Sequence, residues 1–213
     1  MKKTYIKKIL ASSFISLFFI QALFFLIEPT MADAVVSTAP SAATVGLTVD
    51  PGITITTPTA VTMPAMTVAI NGSTASAAWT VKTNNTIGYD LKIHASTTPA
   101  LKSGTDNFAD YTTTPAVWSI TNGTKQFGFS AYGADTSTAT WGTGAGCGTG
   151  VTPVATMIYS GFAGATDKTV ATPSAPTPYA GVPTTVCFAA EQKGVYAASG
   201  AYTATVTATA TTK

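Results

Sequence analysis

The sequence predicts an all-β protein: a single antiparallel β-sandwich of about nine or ten strands, preceded by a helical signal peptide. Three observations predict it. Thr, Ala, Gly, Ser and Val dominate the chain after residue 34, and the branched Cβ of Thr and Val suits a pleated strand. Apolar residues recur there in short runs with a period of two, and Gly, Pro, Asn and Ser separate the runs. After residue 34, no apolar pattern of period 3.6 is sustained over ten residues.

Residues 1–34 have the organisation of a secretory signal peptide. Four lysines within residues 1–8 precede an almost purely apolar run over residues 9–27, and small residues follow Pro29. Cleavage is expected after Ala34, and cleavage after Ala32 is the second choice. Because the apolar run is close to the length that spans a bilayer, an uncleaved N-terminal anchor is the alternative. The chain is therefore expected to be secreted or to lie on a bacterial cell surface.

The charge of the chain excludes several classes of partner. Its 213 residues include 11 basic residues, all of them Lys, 9 acidic residues and a single His. Four of the lysines and two of the acids lie in residues 1–34, so the remainder is formally neutral. A neutral chain does not offer the basic face that a nucleic-acid partner requires, and membrane contact is expected only through an uncleaved signal segment. One His and two Cys do not favour a His/Cys metal site, and no cofactor is expected.

The alternating runs and the turn signals predict where the strands lie. Asn71-Gly72 and Asn122-Gly123 predict tight hairpin turns, because a type I′ turn needs positive φ at both central residues. The first hairpin would join residues 66–70 to 75–83, and the second would join residues 117–121 to 125–131. The runs that alternate are residues 45–49, 66–70, 89–93, 127–131, 186–188 and 202–208.

The chain after the signal peptide is predicted to be one domain. Residues 35–43 are interpreted as a flexible leader, and residues 44–213 as the sandwich. Residues 96–115, 134–153 and 171–183 resist assignment to strands and are predicted to be loops. The residues expected in the core are Trp79, Tyr89, Leu91, Ile93, Phe127, Phe129, Phe188 and Val206.

The two cysteines predict one disulfide. Cys147 lies in a Gly-rich stretch and Cys187 in a strand-like run, and an exported protein with two cysteines usually joins them. The bond would fix a loop that is too rich in Gly to order itself. The alternative is a pair of reduced, unlinked thiols.

Few residues offer chemistry. A Ser-His-acid triad would have to use His94, but the alternation places His94 on a solvated face beside Asp90 and Lys92. No catalytic residue is assigned, and the chain is expected not to be an enzyme. Trp141, Trp118 and Tyr132 lie in or near loops, where aromatic rings can stack on sugars. The alternative is that they plug the ends of the sandwich. Trp141 is expected to be the most exposed of the three.

Two motifs resemble exported bacterial surface proteins. Residues 83–91 (TNNTIGYDL) and residues 199–207 (SGAYTATVT) resemble the strands of WxL-type cell-surface domains, which are associated with attachment to the cell wall. The Trp-x-Leu motif of that family is absent, since the final strand contains Thr207-Ala208-Thr209. Peptidoglycan binding is therefore assigned to no residue. Fimbrial and spore-coat-like subunits end in a similar strand.

These observations favour a structural or adhesive protein of the bacterial cell envelope, which acts by assembly or binding with other surface subunits or with cell-wall polysaccharide. Residues 43–49 are a candidate for a strand donated to a neighbouring subunit. The alternative is a carbohydrate- or cell-wall-binding module that uses loop aromatics. A secreted hydrolase that uses His94 is the least favoured hypothesis.

Overall fold

The structure is a computed structural model that describes residues 41–213. The predicted signal peptide, its cleavage after Ala34 and the first residues of the predicted leader lie outside this range. Residues 41–47 are exposed and adopt no regular structure, whereas residues 48–213 form one compact unit.

The described part of the chain is predominantly β, as the sequence predicts. Its one helical turn is α1 (Thr138–Trp141), which Ser137 caps by accepting a hydrogen bond from the backbone N–H of Thr140. The strands are β1 (Ile53–Ile55), β2 (Gly72–Thr83), β3 (Tyr89–Ala95), β4 (Leu101–Ser103), β5 (Asp106–Asp110), β6 (Ala116–Val117), β7 (Thr124–Gly133), β8 (Ile158–Tyr159), β9 (Lys168–Ala171), β10 (Val182–Lys193) and β11 (Val206–Thr212).

The strands form three sheets. The largest has six strands in the order β1-β2-β10-β7-β5-β4, a second has the order β11-β3-β9, and β6 pairs with β8. All pairs are antiparallel except β5 with β7, which run parallel. The expectation of a purely antiparallel architecture is therefore wrong at this pair, because β5 reaches the edge of β7 through residues 111–123 rather than through a tight turn.

One apolar core takes side chains from both of the larger sheets. It is built from alternate residues of β2, β7 and β10 in the six-stranded sheet and of β3 in the three-stranded sheet. Of the residues expected in the core, all are buried except Val206, which packs against the core while partly exposed. The alternation expected for β3 is confirmed, since Tyr89, Leu91 and Ile93 are fully buried and the residues between them are not.

The central strand β10 is buried on both faces. Val186, Phe188 and Ala190 point into the main core, whereas Cys187 and Ala189 join a second cluster on the opposite face. That second cluster also contains Tyr111, Ile120, Met157 and Tyr159. A segment without long strands must therefore cover the second face, and residues 142–157, which precede β8, supply much of that cover.

Several local predictions are wrong. Residues 45–49 and 66–70 form no strand, although their apolar residues alternate. The predicted Asn71-Gly72 hairpin does not form, because β2 begins at Gly72 and pairs with β10 and β1 instead. Gly123 lies in a turn with φ of 85°, but residues 116–117 pair with β8 and not with β7. At the two predicted hairpins a long-range partner replaces the expected local one, whereas residues 45–49 and 66–70 pair with no strand of the described chain.

The predicted loops are correct in part. Residues 96–115, predicted to be a loop, contain β4 and β5. Only Leu101 and Phe108 of these two strands reach the core, so their sequence shows no clear apolar alternation. Residues 134–153 are irregular apart from α1, and residues 172–181 form no strand. The last strand keeps its expected faces, with Val206, Ala208 and Ala210 partly buried and the threonines between them exposed. It begins at Val206 rather than at Tyr202 and continues to Thr212, so its predicted bounds are wrong.

Candidate functional site

The two cysteines are paired, as the sequence predicts. Cys147 and Cys187 lie at disulfide distance with their Cα atoms 5.1 Å apart. The bond fixes residues 142–157, which we call the stapled loop, to the outer face of β10. Backbone contacts add to it, since Thr74 of β2 donates its N–H to the carbonyl oxygen of Gly150 at 2.8 Å. Gly72 is required beside this loop because a Cβ there would collide with the Val151 carbonyl.

Trp141 is buried, so the exposure expected for it is wrong. Its side chain is only 3% exposed, and its ring lies 5.2 Å from that of Phe129 in the main core. Helix α1 ends at Trp141 and turns the side chain inward at the start of the stapled loop. A Trp in a Gly-rich stretch therefore plugs the end of the core in this chain.

The other two aromatic candidates are also occupied by protein contacts. Trp118 stacks on Tyr111 with ring centroids 4.7 Å apart and donates its Nε1–H to Glu191 at 2.7 Å. Tyr132 is partly buried against the second cluster. The three predicted aromatics do not form one exposed platform. Tyr179 is the most exposed aromatic residue of the described chain, at 99%.

His94 lies at the surface of β3. Its Nδ1 is 3.0 Å from Oδ1 of Asp167, and both side chains are partly exposed. The pair spans from β3 to the turn before β9 and lies on the solvated side that the alternation predicts.

A large apolar groove opens on the other side of β10 from the disulfide. Its volume is about 1160 Å³, and its floor contains buried core residues of the six-stranded sheet, among them Trp79, Phe127, Phe188 and Ala190. One wall is the chain from residue 196 to residue 208, which includes the start of β11. Residues 57–68, which we call the cover, lie over the groove without forming a strand. Among residues 41–213, no charged side chain lines it.

The cover is held by few interactions. The side chains of Met63 and Met66 pack against the core but remain partly exposed. Ser73 donates its hydroxyl hydrogen to the carbonyl oxygen of Pro64 at 2.7 Å, and the Gln192 amide donates to that of Thr67 at 3.2 Å. Gln192 also accepts the backbone N–H of Ala197 at 2.8 Å, so one buried amide joins the cover to the wall.

Asp106 holds the wall of the groove to the six-stranded sheet. Its carboxylate accepts hydrogen bonds from Lys125 of β7, from the Tyr202 hydroxyl and from the backbone N–H of Ala198, the last at 2.8 Å. These donors, Lys125 first among them, hold the pKa of Asp106 well below its usual range. Burial and the hydrogen bond to Asp106 raise the pKa of Tyr202 to about 12.

Strand β11 lies at an edge of its sheet, beside the groove. Its ladder partner is β3, and no other strand among residues 41–213 pairs with it. Ser96 donates its N–H to the carbonyl oxygen of Thr205 at 3.0 Å, and these two residues lie directly opposite each other. Because hydrogen-bonded pairs alternate along an antiparallel ladder, the odd-numbered residues of β11 are those that bond to β3. The N–H and C=O groups of Val206, Ala208 and Ala210 therefore point to the free edge.

An exposed apolar segment lies near the start of the described chain. Val45, Leu47 and Val49 are 92%, 88% and 70% exposed, and residues 43–49 carry no charge. Side chains of this size and spacing are normally buried in a strand, since exposed apolar surface in a row favours association.

Within residues 41–213, no group of three or more His, Cys, Asp or Glu side chains is arranged to hold a metal ion. No helix in that range has the length and apolar character needed to cross a bilayer. Comparison with protein-family models, with curated proteins and with solved structures finds no match to this chain.

Sequence reasoning missed the groove, the cover and the role of Asp106 in holding the wall. The sequence does contain a signal for the cover. Pro58 and Pro64 lie within it, and because Pro is excluded from central strands, they indicate that residues 57–68 do not form one. The role of Asp106 has no sequence signal, since the donors that join it to the rest of the fold, Lys125, Ala198 and Tyr202, come from distant parts of the chain.

Proposed function

We propose that this chain is an exported structural or adhesive protein of the bacterial cell envelope, which acts by assembly or binding and not by catalysis. The observation that carries the proposal is that one chain has both an exposed, uncharged alternation of Val45, Leu47 and Val49 and a free strand edge at β11. Such a combination favours addition of a strand from another chain.

The disulfide supports the location. Structural disulfides persist in oxidising compartments and are rare where thiols are kept reduced. The pairing of Cys147 with the buried Cys187 fits export, as does the predicted signal peptide of residues 1–34.

The architecture that we propose for residues 44–213 is a single sandwich. Its support is the shared core, to which the six-stranded and the three-stranded sheets both contribute buried side chains. The resemblance of residues 83–91 and 199–207 to WxL-type and fimbrial strands agrees with this arrangement, since these residues enter β3 and lead into β11. The partners proposed are other surface subunits.

A carbohydrate- or cell-wall-binding module is the second candidate. The burial of Trp141 removes its main aromatic, but Tyr179 is almost fully exposed, and Nζ of Lys82 lies 5.7 Å from its ring centroid. We expect Tyr179→Ala to weaken retention on purified cell wall if this candidate holds. Equal retention of both forms would exclude a platform based on Tyr179.

Fractionation of cells into medium, wall, membrane and cytoplasm tests the proposed location. We expect the protein in the medium or the wall, with its cysteines resistant to alkylation until reduced. Recovery from the cytoplasm with free thiols would overturn the proposal.

Deletion of residues 35–50 tests the mode of action, and we expect it to reduce the oligomer size measured by light scattering.

A further inference from the structure

We propose that the apolar groove is an acceptor site for residues 43–49 of a second copy of this chain, which enter it as a strand added to the free edge of β11. The inference rests on the proposed assembly function and names its acceptor. Four features of the described residues support it: the free backbone groups of β11, the alternation of the donor, the neutrality of both surfaces and the weak attachment of the cover.

The backbone of β11 is oriented for such an addition. Val206 and Ala208 line the groove and also direct their N–H and C=O groups away from β3. In a strand, the residues whose side chains face the core are separated by residues that face outward. A strand paired at this edge would therefore have every second side chain directed over the groove, in line with Val206 and Ala208.

The donor segment fits this requirement. Val45, Leu47 and Val49 recur with a period of two, and the exposed residues between them are Gly46 and Thr48. One face of the added strand is thus entirely apolar. A cavity of about 1160 Å³ can receive three such side chains once the cover yields.

The charges of the two surfaces match. Residues 43–49 and the described residues that line the groove contain no charged side chain, so insertion would not bury an unpaired charge. A nucleic acid, an acidic peptide or a basic peptide would have no counter-charge in the groove. The occupant that this lining favours is a neutral, alternating strand, and the chain itself supplies one.

The cover is the part that must move. Two side-chain hydrogen bonds and two partly exposed methionines hold residues 57–68 in place. Strand β1 precedes the cover and pairs with β2, and β2 itself begins at Gly72 after the cover. The cover can therefore be displaced while both of its ends remain anchored.

The first experiment compares two donor variants of the full chain purified from the cell envelope. Leu47→Asp places a charge on the face that would enter the groove, and Thr48→Asp places the same charge on the opposite face. Both residues are exposed and outside regular structure, so neither change should affect folding. We expect at least tenfold weaker self-association of Leu47→Asp by light scattering and ultracentrifugation, and unchanged association of Thr48→Asp.

The second experiment tests the acceptor by complementation. Ala208→Pro removes an N–H that points to the free edge and keeps the hydrogen bonds to β3, a position at which edge strands tolerate Pro. We expect this variant to be an acceptor-defective monomer. Mixing it with Leu47→Asp should restore a one-to-one heterodimer, because one variant keeps the donor and the other keeps the acceptor.

A peptide of residues 41–51 keeps the test decisive if Ala208→Pro does not fold. The labelled peptide should bind the Leu47→Asp chain in fluorescence anisotropy, and the same peptide with Leu47→Asp should bind at least tenfold more weakly.

Absence of peptide binding, association of Leu47→Asp equal to that of the unaltered chain, or a monomer whose own residues 43–49 are protected from hydrogen exchange would each overturn the inference. A lipid recovered from the groove of the purified protein would overturn it as well. If the protein is recovered from the envelope but is monomeric, this inference fails and the proposed function stands. If it is recovered from the cytoplasm, the proposed function fails.

Discussion

The stapled loop and the cover are two strandless segments that lie over opposite faces of the same sheet, and they differ in how they are attached. The stapled loop is joined to β10 by a disulfide and to β2 by hydrogen bonds from the backbone N–H and the hydroxyl of Thr74 to the Gly150 carbonyl oxygen. The cover is held through two side-chain hydrogen bonds and partly exposed methionines. Two segments that both lack regular structure therefore differ in how firmly they are attached to the sheet. A fixed loop completes a core, and a loosely attached one can give way to a ligand strand.

Removal of the disulfide should have the largest effect. A Cys147→Ser, Cys187→Ala double variant releases a constraint with a sequence separation of 40 residues, for which the chain-entropy model gives about 4 kcal/mol. We expect a lower midpoint of urea unfolding and new protease cleavage within residues 142–157. Cleavage that stays confined to the cover would show that the backbone contacts suffice to hold the stapled loop.

Two methionines offer a matched comparison of the segments. Met157 of the stapled loop is fully buried in the second cluster, whereas Met66 of the cover is partly exposed. Met157→Ala should cost about 2–5 kcal/mol of unfolding free energy, as buried Met truncations do, and Met66→Ala less than about 1 kcal/mol. Equal losses in urea titrations of the two variants would mean that the cover is as firmly packed as the stapled loop.

Gln192 is the polar contact that connects the cover to the wall. Gln192→Leu should cost about 1–3 kcal/mol, because it leaves the Ala197 N–H without its buried acceptor. We expect faster hydrogen exchange in residues 57–68 and no change in residues 142–157. Ser73→Ala, which removes only the bond to Pro64, is the milder control. Faster exchange in the stapled loop would indicate global rather than local loosening.

The sequence predicts the parts of this fold in which local pattern and long-range partner agree. β3, β7 and β10 have their expected faces because apolar alternation and burial coincide there. The pattern fails at Val45 and Met66, where alternation has no partner strand within the described chain, and at Asn71-Gly72, where pairing of β2 with β10 overrides the turn signal. The disulfide is predictable from two cysteines alone. The groove is not, since it depends on how a three-stranded sheet covers a six-stranded one.

Acid should loosen the wall of the groove before it affects the stapled loop. The pKa of Asp106 is held below its usual value by Lys125, Tyr202 and the Ala198 N–H, so its ionised form stabilises the folded state. A carboxyl whose pKa is lowered in the folded state stabilises the fold at pH values above its unfolded-state pKa, which is about 3.9 for Asp. This contribution is lost as the pH falls through the folded-state pKa. Nearby Asp110 acts in the opposite sense, since burial raises its pKa.

Asp106→Asn isolates this contribution, because the amide keeps the shape of the side chain and removes its charge. The difference in urea midpoint between the unaltered chain and Asp106→Asn should be constant from pH 7 to about pH 5 and shrink as the pH falls below about 4. Because Tyr202 and Ala198 belong to the groove wall, the same titration should increase hydrogen exchange in residues 196–203 more than in residues 142–157, after correction for intrinsic rates. A midpoint difference that does not change with pH would mean that the Asp106 carboxylate does not hold the wall, and the contrast between a fixed and a releasable face of the sheet would then depend on Gln192 and the methionines alone.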